Sequence, residues 1–380
     1  MRRAAFLFIA VLTAKSLAAQ QAEVKPSWDY TYTPYGYYSS IDGWWIAGYA
    51  RVYSPIGFHE RPEPNRAAIT LTGGASTQGS YLVELDAQAP ALWEGWRVAV
   101  TLDALRANRL GYFGIGNDTR FDADSNTPFT PYFYRVSRTS DLARLTLQRR
   151  LAGPLRLLVG ATLEHTTFRT LPGDGLFARD RVAGIADSSP WNDAALRAGL
   201  VADTRDNEID PHTGVLAEAL LATSQHYNRT TVGVQAYVHP TERIMLAGRV
   251  LGERMSGGPS ISVMQVIESS GRPYVGVGGY RSLRGYYDSR FIGPDKLLGG
   301  VEVRYALLYA PTILEVKLVG FYDAGRVFGS GSAFQLTTHD LHSSAGGELM
   351  IRFGRNGVLV AGAGFGSDGH QFLFGSSWSY

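Results

Sequence analysis

Leu142-Ala143-Arg144-Leu145-Thr146-Leu147-Gln148-Arg149-Arg150 decides the fold. Ala143, Leu145 and Leu147 share one face of an extended chain, and Arg144, Thr146, Gln148 and Arg150 share the other. The next segment repeats the design, with Leu155, Leu157, Val159, Ala161 and Leu163 on one side and Arg156, Thr162 and Glu164 on the other. Ala152-Gly153-Pro154 between them is too short for anything but a hairpin turn. The same period of two returns in Val232-Val234-Ala236-Val238 against Gln235-Tyr237-His239, and in Leu349-Ile351-Phe353 against Glu348-Met350-Arg352. Helical periodicity of comparable length is absent, so the chain reads as all-β.

A soluble sandwich alternates too, so other signs must choose between sandwich and membrane barrel. Full charges on the polar faces, such as Arg144, Arg150, Arg156 and Glu348, suit a wet lumen. Aromatic clusters (Trp44, Trp45, Tyr49; Tyr132, Phe133, Tyr134; Tyr286, Tyr287) are expected to form interfacial girdles. Long polar connections at 117–131 and 171–193 alternate with short turns, as outer loops alternate with periplasmic turns. Only 18% of residues are charged while 44 glycines, 21 tyrosines, 17 phenylalanines and 7 tryptophans are present, which is a barrel's composition. The 36 basic residues nearly cancel the 34 acidic ones, which argues against a nucleic-acid partner. The absence of cysteine removes disulfides, thiol nucleophiles and thiolate metal sites from consideration.

Residues 1–19 read as a secretory signal peptide: Arg2 and Arg3, an apolar run from Ala4 to Leu12, and a cleavage zone at Ser16-Leu17-Ala18-Ala19. Residues 20–42 read as a short periplasmic lead-in, and 43–380 as the barrel. The remaining length accommodates about 14 to 16 strands of ~9–11 residues, and single-chain bacterial barrels have an even number. The carboxy terminus ends inside a strand, with Phe372, Phe374, Trp378 and Tyr380 on its outer face. Gly375, Trp378 and Tyr380 fit the terminal pattern resembling the assembly signal of outer-membrane barrels, with Leu373 replacing its usual polar first residue.

Three blocks carry a family resemblance. They are Gly278-Gly279-Tyr280-Arg281-Ser282-Leu283-Arg284-Gly285-Tyr286, then Gly299-Gly300-Val301-Glu302-Val303-Arg304-Tyr305, then Gly320-Phe321-Tyr322-Asp323-Ala324-Gly325. In this order and spacing they resemble the barrel of the BamA/TamA-type bacterial surface antigen superfamily. Asp203-Thr204-Arg205-Asp206 with Pro211 and Gly214 resembles an earlier hairpin motif of that family, and Tyr112 to Asp118 a further recurrent block. The resemblance implies a transmembrane antiparallel β-barrel of 16 strands with an inward-folded Arg-Gly-Tyr loop. It implies that Arg284 meets Asp323 and Glu302, with Phe321 beneath it, while Gly285 turns the loop tightly and Gly325 leaves room for close approach. Arg304 shares a strand face with Glu302. A barrel-only member without POTRA domains is expected, with a weak seam where 44–53 would pair with 371–380.

The function implied is transport or assembly of a polypeptide or lipid at the outer membrane of a Gram-negative-type bacterium. A passive structural or pore-forming barrel is the alternative. Expected partners are outer-membrane lipid and lipopolysaccharide, the barrel assembly machinery during biogenesis, and a polypeptide client. No catalytic residue, cofactor or metal is expected. Gly362-Ala363-Gly364-Phe365-Gly366 lacks the helix of a phosphate loop, and Asp122, Asp124 and Asn126 lack the Gly and Glu that complete a calcium loop. His339 and His342 read as solvated loop histidines.

Overall fold

Along Val301-Glu302-Val303-Arg304 the apolar residues are the exposed ones: Val301 and Val303 are 57% and 53% exposed, whereas Glu302 and Arg304 are each 1% exposed. A sheet folded for water buries the opposite set. Outward apolar residues and inward charges are what hydrocarbon demands, since a cation facing the bilayer midplane costs about 2–4 kcal/mol. The inversion recurs from strand to strand: Arg229, Thr231, Gln235 and Tyr237 are buried while Val232, Val234 and Val238 lie open.

The computed structural model describes residues 27–39, 41–57, 61–310, 313–329, 334–354 and 356–376. The strands are β1 (Asp29–Ser39), β2 (Gly43–Pro55), β3 (Asn65–Ser76), β4 (Tyr81–Trp93), β5 (Trp96–Gly111), β6 (Arg135–Ala152), β7 (Leu155–Arg169), β8 (Trp191–Asp203), β9 (Gly214–Thr223), β10 (Tyr227–Thr241) and β11 (Ile244–Gly257). An insertion at 258–294 carries the short α2 (Ile261–Met264) and the small hairpin of β12 (Val266–Ile267) and β13 (Tyr274–Val275). Then follow β14 (Asp295–Ala310), β15 (Leu314–Phe328), β16 (His342–Phe353), β17 (Gly357–Gly366) and β18 (Gly369–Gly375). A further helix, α1 (Leu176–Val182), lies between β7 and β8. Sixteen strands pair antiparallel in chain order in one sheet, the insertion's hairpin standing apart. No helix among the described residues is long and apolar enough to cross a membrane.

Neighbouring strands lie ~4.8 Å apart, so β3 and β17, twelve places apart in the order, would be separated by about 58 Å in a flat sheet. Instead Asn356, before β17, donates to the Pro64 carbonyl, before β3, at 2.9 Å. The sheet therefore curls on itself into a barrel. Arg272 of the insertion reaches Glu84 on β4 at 2.8 Å, and Arg284 of the same insertion reaches Asp323 on β15. The insertion therefore lies inside.

Long connections gather at one end, at 112–134, 170–190, 258–294 and 329–341, and tight turns dominate the other. Gly153 in the β6–β7 turn has φ +51, a left-handed conformation that glycine adopts without strain.

Two boundaries differ from expectation. Residues 29–39 form the first strand rather than part of a lead-in, pairing with β2 from Asp29↔Tyr53 to Ser39↔Gly43. Residues 44–53 consequently lie within β2, flanked by β1 and β3, and form no seam with the last strand. The strands at the two ends of the order are β1 and β18, and no ladder joins them among the described residues. The expected signal peptide lies outside the described residues, as do Trp378 and Tyr380.

The expected girdles divide as well. Trp44 is exposed on the outer face, but Tyr134 and Tyr286 are buried within the barrel, and Trp45 stacks on Tyr37 at 6.0 Å. At the tight-turn end Trp93 and Trp96 stand exposed.

A closed barrel resists detergent until heated. Unheated and boiled samples are expected to migrate differently in detergent gels. A single mobility under both treatments would contradict the closed barrel.

Candidate functional site

The insertion at 258–294 is held by charge. Arg284 is fully buried, and its guanidinium forks onto Asp323, Nε donating to Oδ2 at 2.8 Å and Nη2 to Oδ1 at 2.9 Å. Nη1 donates to Glu302 Oε1 at 2.6 Å, and Glu348 Oε2 stands 3.6 Å from the same nitrogen. The guanidinium carbon lies 3.7 Å from the centre of the Phe321 ring. Sheet register builds this pocket, because Glu302 pairs with Phe321 and Phe321 pairs with Gly346. Arg304 closes the far side, its Nε donating to Glu302 Oε2 at 2.7 Å. Burial alone would lower the Arg284 pKa, but Glu302 and Asp323 outweigh it and hold it above its ordinary value. A planar fork that also stacks is the geometry arginine offers and lysine lacks.

The backbone fits as closely as the charges. A Cβ on Gly285 would come within 2.5 Å of the Phe365 backbone, and one on Gly364 within 2.5 Å of the Arg284 carbonyl oxygen. Gly285 has no left-handed φ, so it serves close approach rather than the tight turn expected. Gly364 and Gly366 are the wall that receives the loop. Tyr286 packs against Gly366, and its hydroxyl donates to the Ser343 carbonyl at 3.2 Å. Gly325 faces the insertion too, where an added Cβ would meet Val277 at 3.5 Å.

A second anchor of opposite sign holds the other half of the insertion. Glu268 is surrounded by Arg144 of β6, Arg197 of β8 and Arg229 of β10. Arg197 Nη2 lies 2.9 Å from its Oε1, and Arg229 Nη1 lies 3.7 Å from its Oε2. Arg144 and Arg197 also donate to the Ser269 carbonyl at 2.8 and 3.1 Å, and Arg229 to that of Val263 at 2.6 Å. Burial pushes the Glu268 carboxyl up, but the three arginines prevail and hold its pKa at about 2. Sequence reading marked Arg144 as lumen-facing and passed over Glu268. The available signal was arginine at inward positions on three alternate strands.

The hairpin motif lies at the tight-turn end, between β8 and β9. Arg205 forks onto Asp203 with two contacts of 2.9 Å, and Asp206 Oδ1 accepts the His212 and Thr213 amides at 2.9 and 3.1 Å. Gly214 has φ +105, and an added Cβ would lie 2.3 Å from the Thr204 carbonyl oxygen. Pro211 is buried beside Asp210. Asp210 accepts from Lys317 at 2.7 Å and from Arg352 at 3.0 Å. Burial raises the Asp210 pKa, but Lys317 and the other nearby cations carry it below its ordinary value. Asp210, His212 and Glu315 have metal-ligand spacing. Lys317 Nζ already sits among them, 2.7, 3.2 and 2.8 Å away respectively, and supplies the positive charge.

The residue pattern 67–366 matches the Omp85 superfamily domain. The chain belongs to the Omp85 superfamily. No curated protein matches its sequence. The fold resembles that of BamA from Haemophilus ducreyi lacking POTRA domains 1–3, with TM-score 0.56, 12% identity, and 92% of this chain covering 69% of that one. It also resembles CdiB from Escherichia coli, with TM-score 0.58, 12% identity, and 99% of this chain covering 66% of that one. At this identity the likeness is one of fold.

In this Omp85 barrel the 112–118 block also contacts the insertion. Gly116 bridges Ile292, Phe113 stacks on Tyr287 at 5.2 Å, and Arg290 Nη1 donates to Thr119 Oγ1 at 2.7 Å. His342 is not a solvated loop residue: its ring stacks on Phe291 at 3.7 Å, and Nε2 lies 2.8 Å from the Asn117 carbonyl oxygen. Gly375 ends β18 with the Tyr280 ring 3.0 Å from where its Cβ would be, while its two expected signal partners lie outside the described residues.

Proposed function

We propose that this Omp85 barrel moves or assembles a polypeptide or lipid at the outer membrane of a Gram-negative-type bacterium, with the 258–294 insertion as a releasable plug. The observation that carries the reading is that both halves of the plug are held by buried ion pairs, beside an apolar cluster that Ile267, Val277, Leu283 and Phe291 form with Leu251, Leu298 and Val327 of the wall. Apolar packing of equal volume often stabilises as well or better, so charge is a poor choice for a permanent seal. A charge lock can be released by a competing charged segment, because its binding rests on exchangeable partners. Lipid and lipopolysaccharide would surround the apolar band, and assembly machinery would insert the chain. The reading assigns the barrel no catalytic chemistry. A passive barrel, in which the insertion only narrows a channel, would never need to release it.

Tethering separates the two. Ser270 donates its amide to Glu218 Oε2 at 2.9 Å. The chain has no cysteine, so Ser270→Cys with Glu218→Cys can be bridged by a thiol cross-linker without background. The bridged protein is expected to insert normally and to fail to complement a deletion strain, with function returning when a cleavable linker is reduced. Full complementation by the bridged barrel would sink the moving-plug reading.

A further inference from the structure

The plug leaves part of the inner wall uncovered. It is anchored to β6, β8 to β11 and β14 to β16. Among the described residues its one ion pair with the first five strands is Arg272 on Glu84 of β4. Ile46, Ile69, Leu71, Val83 and Leu102 are exposed on the outer face of β2 to β5, so the alternate positions face the lumen. There Thr33↔Tyr49, Tyr49↔Thr72, Thr72↔Glu84 and Glu84↔Asp103 form one row across five adjacent strands. The next row towards the tight turns runs Thr31, Arg51, Thr70, Asp86 and Thr101. Towards the loops, Tyr37 stacks on Trp45 at 6.0 Å and on Tyr35 at 6.4 Å. The two rows contain no aliphatic side chain.

Their charges are not balanced. Arg51 is the cation of the two rows, 5.3 Å from the centre of the Tyr53 ring, against the carboxylates of Glu84, Asp86 and Asp103. Arg66 and Arg97 stand at the tight-turn end and Arg109 at the loop end, while Arg138 and Arg144 of β6 turn to Gln265 and Glu268 of the plug. Glu84 and Asp103 are direct cross-strand partners, and like charges so placed repel. Asp103 Oδ1 is buried and accepts no hydrogen bond among the described residues, the environment of an acceptor that a donor completes. Arg272 shows which donor fits: its guanidinium reaches Glu84 Oε2 at 2.8 Å, although its side chain is 74% exposed. So open a pair is weak and readily exchanged.

We propose that this wall docks a basic, extended segment of a polypeptide client, which displaces Arg272 and sets its cations on Glu84, Asp86 and Asp103 and against the Tyr49 and Trp45 rings. The inference rests on the reading that the barrel handles a polypeptide. Charge complementarity selects the occupant, because carboxylates and aromatic faces both attract cations. An acidic segment is repelled, and a neutral sugar could stack on the rings but would leave the carboxylates uncompensated. The spacing fits as well: Glu84 and Asp86 are alternate residues of one strand, about 6.8 Å apart, the repeat of same-side residues in an extended client.

The test is fluorescence anisotropy on the full chain in uncharged detergent, with decapeptides alternating arginine, glutamate or serine with threonine. The arginine peptide is expected to bind, more weakly at high salt, and the other two to stay free. Glu84→Gln and Asp103→Asn should each weaken it about two- to fivefold, the range of a partly exposed pair, while Asp187→Asn on the exposed 170–190 loop changes nothing. Arg272→Ala should strengthen binding by a similar factor, because it removes the competing guanidinium. That variant alters an exposed side chain and keeps the proposal falsifiable should the carboxylate variants not assemble. Equal binding of the acidic peptide, displacement of the arginine peptide by neutral maltohexaose, or unchanged affinity in the Glu84, Asp103 or Arg272 variants would overturn it. The assay is separate from plug movement: peptide binding by a barrel that complements while tethered would keep the docking wall and remove the moving plug. A tethered barrel that fails to complement, with no peptide binding, would do the reverse.

Discussion

Arg284→Ala is expected to leave the barrel assembled and the insertion free, at a cost of about 3–5 kcal/mol to the locked conformation. The magnitude follows from burial. A pair in water is worth ~0–1 kcal/mol, whereas removing one partner of a buried pair strands the other without solvent. The side chains of Arg284, Asp323, Glu302 and Glu348 are all 0% exposed, which places the lock in the second regime. Three carboxylates would then lose their shared guanidinium, with Arg304 still paired to Glu302. The expected consequences are trypsin cleavage at the insertion and a rise in single-channel conductance. Arg284→Lys should rescue in part, since it restores the charge without the fork on Asp323 or the stacking on Phe321. A double-mutant cycle with Asp323→Ala, read as protection of the insertion, should give strongly non-additive effects. Additive losses would mean that the fork carries no coupling.

Much of this site was legible because its parts sit in regular strands. Once Glu302 and Asp323 were placed on alternating positions, their inward projection followed from the pleat alone, and the family resemblance supplied Arg284 as the third party. The fold was readable for the same reason, wherever apolar and polar residues alternated. It failed at β1, whose Tyr30-Thr31-Tyr32-Thr33-Pro34-Tyr35 puts tyrosine on both faces. Tyr30 and Tyr32 are 68% and 70% exposed, while Tyr35 and Tyr37 turn inward and stack at 6.4 Å. Tyrosine is apolar enough for the interface and polar enough for the lumen, so its repetition erases the pattern that marks a strand. The girdle reading failed for a related reason. Proximity to a strand end did not tell Tyr286, folded inward on the insertion, from Trp44, facing out.

Glu268 was illegible for a different reason. In Ile267-Glu268-Ser269-Ser270-Gly271-Arg272 a lone carboxylate among serines and glycine looks like a solvated loop residue. Its meaning comes from Arg144 and Arg197, which are 124 and 71 positions away in sequence. Only closure of the barrel brings them together. A charge in a long barrel loop therefore cannot be assigned to solvent until the inward charges of the strands have been counted, and here three inward arginines lacked an inward acid on their own strands at that level.

Glu268→Ala is accordingly expected to match or exceed the Arg284 variant, because it leaves three buried guanidinium groups facing one another around a cavity. Like charges in a poorly solvated site repel as strongly as opposite charges attract, so the loss is again about 3–5 kcal/mol. Part of the arginine charge can turn to Glu253, whose Oε2 lies 3.7 Å from Arg229 Nε, although Glu253 is already engaged by Lys296 at 2.6 Å. Glu268→Gln separates charge from shape: it keeps acceptor geometry for Arg197 but not neutralisation, and should free the insertion nearly as fully. The same anchor predicts how the plug answers acid. Glu268 has a folded pKa of about 2 against an ordinary value of 4.5, so its stabilising contribution is complete above the unfolded value and disappears only as pH falls through about 2. Lowering the pH from neutrality to about 5 should therefore leave this anchor engaged, and conductance in planar bilayers should show no opening traceable to it. If Glu268→Gln removes a conductance rise that the unmodified barrel shows on acidification to that pH, then Glu268 titrates near 5 and the three-arginine anchor does not hold it as the contacts require.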